Sequence, residues 1–382
     1  MNDVSIKTIA AIVFACMAST QTIEAAYQAK SNADIVSIES LLSEMFDHES
    51  VARFPEHNFR LRQTSSYNVA SKTPDKPKGW FKYRETKQIE KKADMATLTR
   101  RYTDAAIEFI GQKKEEPFFV YLAHTMPHTR LAASADFKNK SEGGLYGDVI
   151  EELDFNVGRV MDTINELGLD ENTYVIFTSD NGPWLIKKQH SGHATPLRSG
   201  KTSCWEGGLR VPCIMRAPGR IPAGTQCDSV AATIDVLPTL AKLASTVAPS
   251  DRVIDGVDIS GLMHGKTDRL ERNYFYYQHN CLRAVRSGQW KIMLPHTEPV
   301  KASILRQWSR HLDQADAQRI ENAQLYKLDD DIGETTDVAS QNPEIVAKLK
   351  QMAVWAQRDI GDHDRFGENA RTFGAERRTL SK

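Results

Sequence analysis

Residues 174–184 read Y-V-I-F-T-S-D-N-G-P-W. A short apolar run without in–out alternation, broken at D-N-G, reads as a strand covered on both faces and delivered to a turn. Working back from it, Ile150, Leu153, Val157, Val160, Ile164 and Leu167 recur at three- and four-residue spacings and stop at Gly168. That pattern predicts an amphipathic helix ended by a glycine. Before the helix, P-F-F-V-Y-L-A at 117–123 reads as a second buried strand, and residues 94–111 as a further helix marked by Met95, Leu98, Tyr102, Ala105, Ile107 and Phe109. Strand, long helix, strand is a βαβ unit, so a mostly parallel α/β sheet flanked by helices is expected. Ligands gather at the carboxyl ends of strands in such sheets. Both H-T-M-P-H at 124–128 and S-D-N-G at 179–182 fall there.

Further along, I-D-V-L-P-T-L-A-K-L-A at 234–244 predicts another helix. Beyond about 270 the texture becomes aromatic and short-stranded, with N-Y-F-Y-Y, L-R-A-V-R-S-G-Q-W-K-I-M and A-Q-L-Y-K-L, and closes on a helix over 342–358. This predicts a small C-terminal antiparallel α+β subdomain. The chain thus divides into a signal-like apolar segment (1–26), a poorly defined polar region (27–93), an α/β core (94–270) and the C-terminal subdomain (271–382). The apolar run at 9–18 is too short to span a bilayer, and small residues near Ala25 resemble a cleavage site, so export to the periplasm or extracellular space is expected.

Composition narrows the function classes. Forty-nine Lys and Arg nearly cancel 50 Asp and Glu, which points away from nucleic acid and from an anionic membrane surface. No segment reads as transmembrane. The five cysteines, at 16, 204, 213, 227 and 281, show no zinc-ligand spacing, and only Cys213 with Cys227 offers a conceivable disulfide.

Three places could carry chemistry. Asp180 and Asn181 offer carboxylate and amide oxygens suited to a hard cation, but D-N-G is also a common Asx turn. Lys201, inside the glycine-rich R-S-G-K-T-S-C-W-E-G-G-L-R-V-P of 198–212, is placed to meet an oxyanion or simply to be solvated. Glu206 and Arg210 of that segment offer a structural ion pair. His124 and His128, at a strand end, are candidates for anion binding or proton donation, or for a structural role.

Taken in order, P-F-F-V-Y-L-A-H-T-M-P-H, Y-G-D-V-I-E-E-L-D, V-I-F-T-S-D-N-G-P and R-S-G-K-T-S-C-W-E-G-G-L-R-V-P resemble the formylglycine-dependent sulfatases of arylsulfatase A type. A-V-R-S-G-Q-W-K-I and L-Y-K-L-D-D-D-I-G-E-T-T-D-V-A resemble that family's C-terminal subdomain, so the likeness runs from about residue 95 to 360. It implies an alkaline-phosphatase-like fold and sulfuric ester hydrolysis. It makes Asp180 and Asn181 ligands of calcium (or magnesium), Lys201 a sulfate contact, and His128 a sulfate contact and candidate proton donor. No role carries over to His124. A sulfate ester or sulfated glycan is the implied ligand.

The family's nucleophile heads C-x-P-S-R, and no cysteine or serine here heads that motif; Cys16-Met17-Ala18-Ser19-Thr20 comes nearest. Neither D-D-x-G nor G-K-W-H-L-G is present, and K-G-W-F at 78–81 is a faint echo. A weakly held metal, a sheet incomplete at its N-terminal side and lacking a central strand, and a truncated or inactive enzyme are therefore expected. The alternatives are a non-catalytic binder of sulfated glycans, a split sulfatase completed by another chain or a homo-oligomer, and, more remotely, a phosphatase or phosphodiesterase of the same superfamily.

Overall fold

The computed structural model describes residues 10–16, 94–250, 253–278, 281–296, 320–362 and 365–370 of the 382. The 27–93 region and K-G-W-F lie outside them. The first sheet has the order β2-β1-β3-β4, built from β1 (Ala10–Cys16), β2 (Phe119–His124), β3 (Thr173–Ser179) and β4 (Cys213–Arg216). β1 pairs parallel with both β2 and β3, and β4 adds antiparallel to β3.

The position of β1 corrects one expectation. The run read as a signal-like segment is the central strand, with Cys16 in register with His124 on one side and Ser179 on the other. The sheet therefore does not lack its centre. A seven-residue apolar run suits a strand between two others as well as it suits a leader, and local pattern does not separate the two.

Helices α1 (Met95–Lys113) and α2 (Gly144–Glu166) cover one face of the sheet. Their apolar stripes, Leu98, Tyr102, Ala106 and Ile110 on α1 with Val160 and Ile164 on α2, meet Phe118, Leu122 and Val175. Ile110, Val160 and Ile164 are completely buried, so truncating either isoleucine to alanine costs about 2–5 kcal/mol. Asp94 caps α1 through the Ala96 amide. Leu167 ends α2, and Gly168 takes a positive φ of 67° in the turn that feeds β3.

On the other side of β3, Tyr174 packs with Ala217, Leu243, Ile259 and Met263 from the segment that includes α3 (Glu206–Leu209), α4 (Val236–Leu243) and α5 (Ser260–Met263). Buried Asp235 ties this region together, accepting from the amides of Ala232 and Val257 and pairing with Arg272.

The C-terminal sheet is antiparallel in the order β5 (Asn273–Gln278), β6 (Cys281–Ser287), β7 (Trp290–Met293) and β8 (Gln324–Lys327). One face packs on α6 (Pro343–Asp359) through Val285, Ile292, Leu325, Leu349, Ala353 and Ala356. The opposite face receives Cys204 and Trp205 of the core against Tyr276, Met293 and Tyr326. The short pair β9 (Gly361–Asp362) and β10 (Arg365–Phe366) follows α6. No helix among the described residues is long and apolar enough to cross a membrane. Cys213 and Cys227 are both free, so the disulfide considered for them does not form.

Candidate anion-binding site

The site lies where β2 and β3 end. After β2 the chain is pinned by Met126, wholly buried with Leu131, Ala133 and Val149, and by Glu152, whose carboxylate accepts the Ser134 amide at 2.8 Å. Asp148 holds the next turn, accepting the amides of Asn139, Lys140 and Ser141 at 2.8–3.0 Å. These bonds, the Ser141 amide first, keep its carboxyl below the usual range. Two carboxylates of α2 thereby fix the loop that carries His128, whose own amide donates to the Thr125 carbonyl at 3.1 Å.

After β3, Asp180-Asn181-Gly182-Pro183-Trp184 lies against the glycine-rich loop. The Gly182 amide donates to the Gly208 carbonyl at 3.0 Å, and the Lys201 amide donates to the Pro183 carbonyl at 2.9 Å. A Cβ on Gly182 would overlap the Gly207 carbonyl, and one on Gly200 would overlap that of Pro183. Glycine is needed at both positions because the two backbones touch.

These contacts bring the expected residues together around a side chain that sequence reading left without a role. Trp184 has the His128 ring at 5.8 Å between centroids, the Lys201 ammonium 5.3 Å from its own centroid and the Lys187 ammonium at 4.3 Å. Its position directly after S-D-N-G-P was the available signal. Tyr121, in the middle of β2, feels the Asp180 carboxylate; burial and that charge push its phenol up to about 12.

The electrostatics are those of a cationic cluster with one carboxylate. Burial lowers the pKa of His128, and the charges of Lys201 and Lys187 lower it further against a bond with the Thr129 backbone. Burial also lowers Lys201, while Asp180 opposes that shift. At neutral pH the site therefore presents a neutral imidazole beside two ammonium groups. His124, four residues earlier, is 1% exposed, and neither ring nitrogen has a hydrogen-bond partner among the described residues. Burial drives it down to about 4, so it is a neutral core group.

Asp180 and Asn181 fit a divalent cation only in part. A hard cation takes roughly six to eight oxygens, and no cluster of three or more His, Cys, Asp or Glu able to hold a metal occurs among the described residues. Among the described residues, these two oxygen donors do not by themselves complete such a site.

The pairing considered for Glu206 is also corrected. Arg210 is exposed, and its amide, not its guanidinium, contacts the Glu206 carbonyl. The Glu206 carboxylate turns inward to Lys291 at 2.9 Å, Arg286 at 3.1 Å and the Tyr276 hydroxyl at 2.8 Å. Partners 70 to 85 residues away in sequence give no local signal.

Comparison with known proteins gives a consistent picture. The model of the sulfatase family matches residues 43–246, more than half of the chain, and reaches further back than the motifs that begin near 95. The C-terminal part matches the models of the N-sulphoglucosamine sulphohydrolase C-terminal region over 200–295 and the aryl-sulfatase C-terminal region over 269–370. Human steryl-sulfatase is 38% identical over 239 residues, covering 59% of this chain and 41% of that protein. The dog N-acetylgalactosamine-6-sulfatase is 39% identical over 213 residues, covering 55% and 41%. The chain thus spans about two fifths of the length of these relatives. Among solved structures, a Bacteroides thetaiotaomicron protein studied in the metabolism of multiple glycosaminoglycans superposes with a TM-score of 0.60 at 31% identity, covering 69% of this chain and 55% of its own. A sulfatase from Pseudoalteromonas sp. has the same fold, with a TM-score of 0.60 at 24% identity, covering 69% and 52%.

Proposed function

The chain belongs to the sulfatase family, and from that premise we propose that it binds the sulfate group of a sulfate ester between Lys201 and His128 without hydrolysing it unaided. The observation that carries this reading is the convergence of His128, Lys201 and Lys187 on Trp184, beside Asp180. Two ammonium groups neutralise sulfate oxygens, and the indole offers a flat apolar wall to the group that bears the ester. Sulfated sugars are the favoured ligand class, because an N-acetylgalactosamine-6-sulfatase and a glycosaminoglycan-linked protein are among its relatives.

Binding and protonation are coupled at this site. An anion lodged between the lysines offsets the charges that lower His128, raises its pKa and favours the imidazolium. Protonated in this way, His128 is set to donate to a leaving ester oxygen. Turnover needs a nucleophile as well, and none of the five cysteines heads C-x-P-S-R. Asp180 and Asn181 are the residues that would offer oxygen donors to a calcium or magnesium ion, whose chemistry would be to polarise sulfate oxygens.

The test is an aryl sulfate hydrolysis assay with and without added calcium. No turnover above background is expected from the chain alone. Calcium-dependent hydrolysis that Lys201→Ala abolishes would overturn the non-hydrolytic reading, and hydrolysis of an aryl phosphate in its place would overturn the choice of sulfate.

A further inference from the structure

The loop that presents Lys201 is held from behind by the C-terminal sheet, and the contact is an ion network closed off from water. Lys291 on β7 is completely buried. Its ammonium lies 2.9 Å from Glu206, 2.8 Å from Glu334 and 4.3 Å from the centroid of the Tyr276 ring. Glu206 is gripped twice: its carboxylate takes Lys291, Arg286 and Tyr276, and its backbone amide donates to Glu334 at 2.7 Å. The network is neutral, two carboxylates against Lys291 and Arg286. Replacing a buried ion network by apolar side chains of similar volume is often neutral or stabilising, so stability alone does not account for this one.

We infer that Lys291 is a positioning residue for the anion site, acting through Glu206 on the loop backbone that carries Lys201. The route is continuous. Lys291 fixes Glu206, which opens α3; Gly208 of α3 receives the Gly182 amide at 3.0 Å; and Pro183, next in the chain, receives the Lys201 amide at 2.9 Å. Gln278 of β5 braces the same loop from the same sheet, donating to the Thr202 carbonyl at 2.6 Å. The Lys201 ammonium therefore stands beside Trp184 and Asp180 only while the C-terminal sheet holds Glu206.

This inference rests on Lys201 as the anion contact, and the experiment keeps the two apart by reading the position of Lys201 without a ligand. The Lys201 charge lowers the titration of His128, so moving the ammonium away raises it. His128 is titrated by NMR, its resonance assigned with His128→Asn, in wild type, Lys201→Met, Lys291→Met, Lys291→Arg and Tyr276→Phe. Inorganic sulfate binding is measured on the same proteins. Lys291→Met is expected to move the His128 titration up to match Lys201→Met and to weaken sulfate binding about tenfold, with Lys291→Arg restoring part of both. Tyr276→Phe, which removes one donor to Glu206 while keeping the ring, gives a smaller change in the same direction. If Lys291→Met does not fold, Tyr276→Phe decides. Folded variants with the wild-type His128 titration overturn the inference. If wild type binds no sulfate, the functional reading falls while the titration still decides the positioning role.

Discussion

His124 and His128 stand four residues apart and answer differently to protons. Burial holds His124 at about 4 against an ordinary value of 6.5. The unfolded chain therefore binds a proton that the folded chain refuses, and the stability this gives is complete above pH 6.5 and lost as pH falls towards 4. The difference corresponds to about 3 kcal/mol. Urea unfolding at pH 7 and pH 4.5 should show this loss in wild type and a shallower one in His124→Leu; equal slopes would refute the assignment. His128 is lowered partly by Lys201 and Lys187, so an anion that neutralises them favours its protonation. Sulfate affinity should rise as pH is lowered through the range just below 6.5, and His128→Asn should flatten that rise. Calorimetry at a series of pH values checks it.

The two loops that meet at Gly182 and Gly208 form one element in function. Because a Cβ on Gly182 would overlap the Gly207 carbonyl, Gly182→Ala should separate the loops, lower stability by about 2–3 kcal/mol and weaken anion binding together. A variant with wild-type melting temperature and wild-type sulfate affinity would contradict this. Much at this scale was legible in sequence. The spacing from Ile150 to Leu167 reports a helix and the apolar run at 174–177 a strand, and His128 and Asp180 follow strand ends, where an α/β sheet gathers ligands. The seven residues of β1 were not legible, because a short apolar run satisfies a leader and an interior strand equally. The partners of Glu206 were hidden for another reason: ion pairing across 80 or more residues is decided by tertiary packing.

At the scale of the whole molecule, two sheets hold the site between them. The first, mixed sheet delivers His128 and Asp180 from the ends of its parallel strands, and the antiparallel sheet braces the loop of Lys201. The first depends on β1, which pairs along its length with both β2 and β3. Deleting residues 1–16 should therefore abolish the cooperative thermal transition followed by circular dichroism, and a transition at the wild-type temperature would show that the sheet does not need this strand. The central claim is that an anion-binding site sits between Lys201 and His128. Its most direct measurement is the dissociation constant of an aryl sulfate, by calorimetry, for wild type and Lys201→Ala with and without calcium. A charge-assisted contact is lost in the variant, so affinity should fall by about 2 kcal/mol, roughly thirtyfold, whether or not calcium is present. Equal affinity in the two proteins, or no heat from wild type at millimolar ligand, would contradict the account.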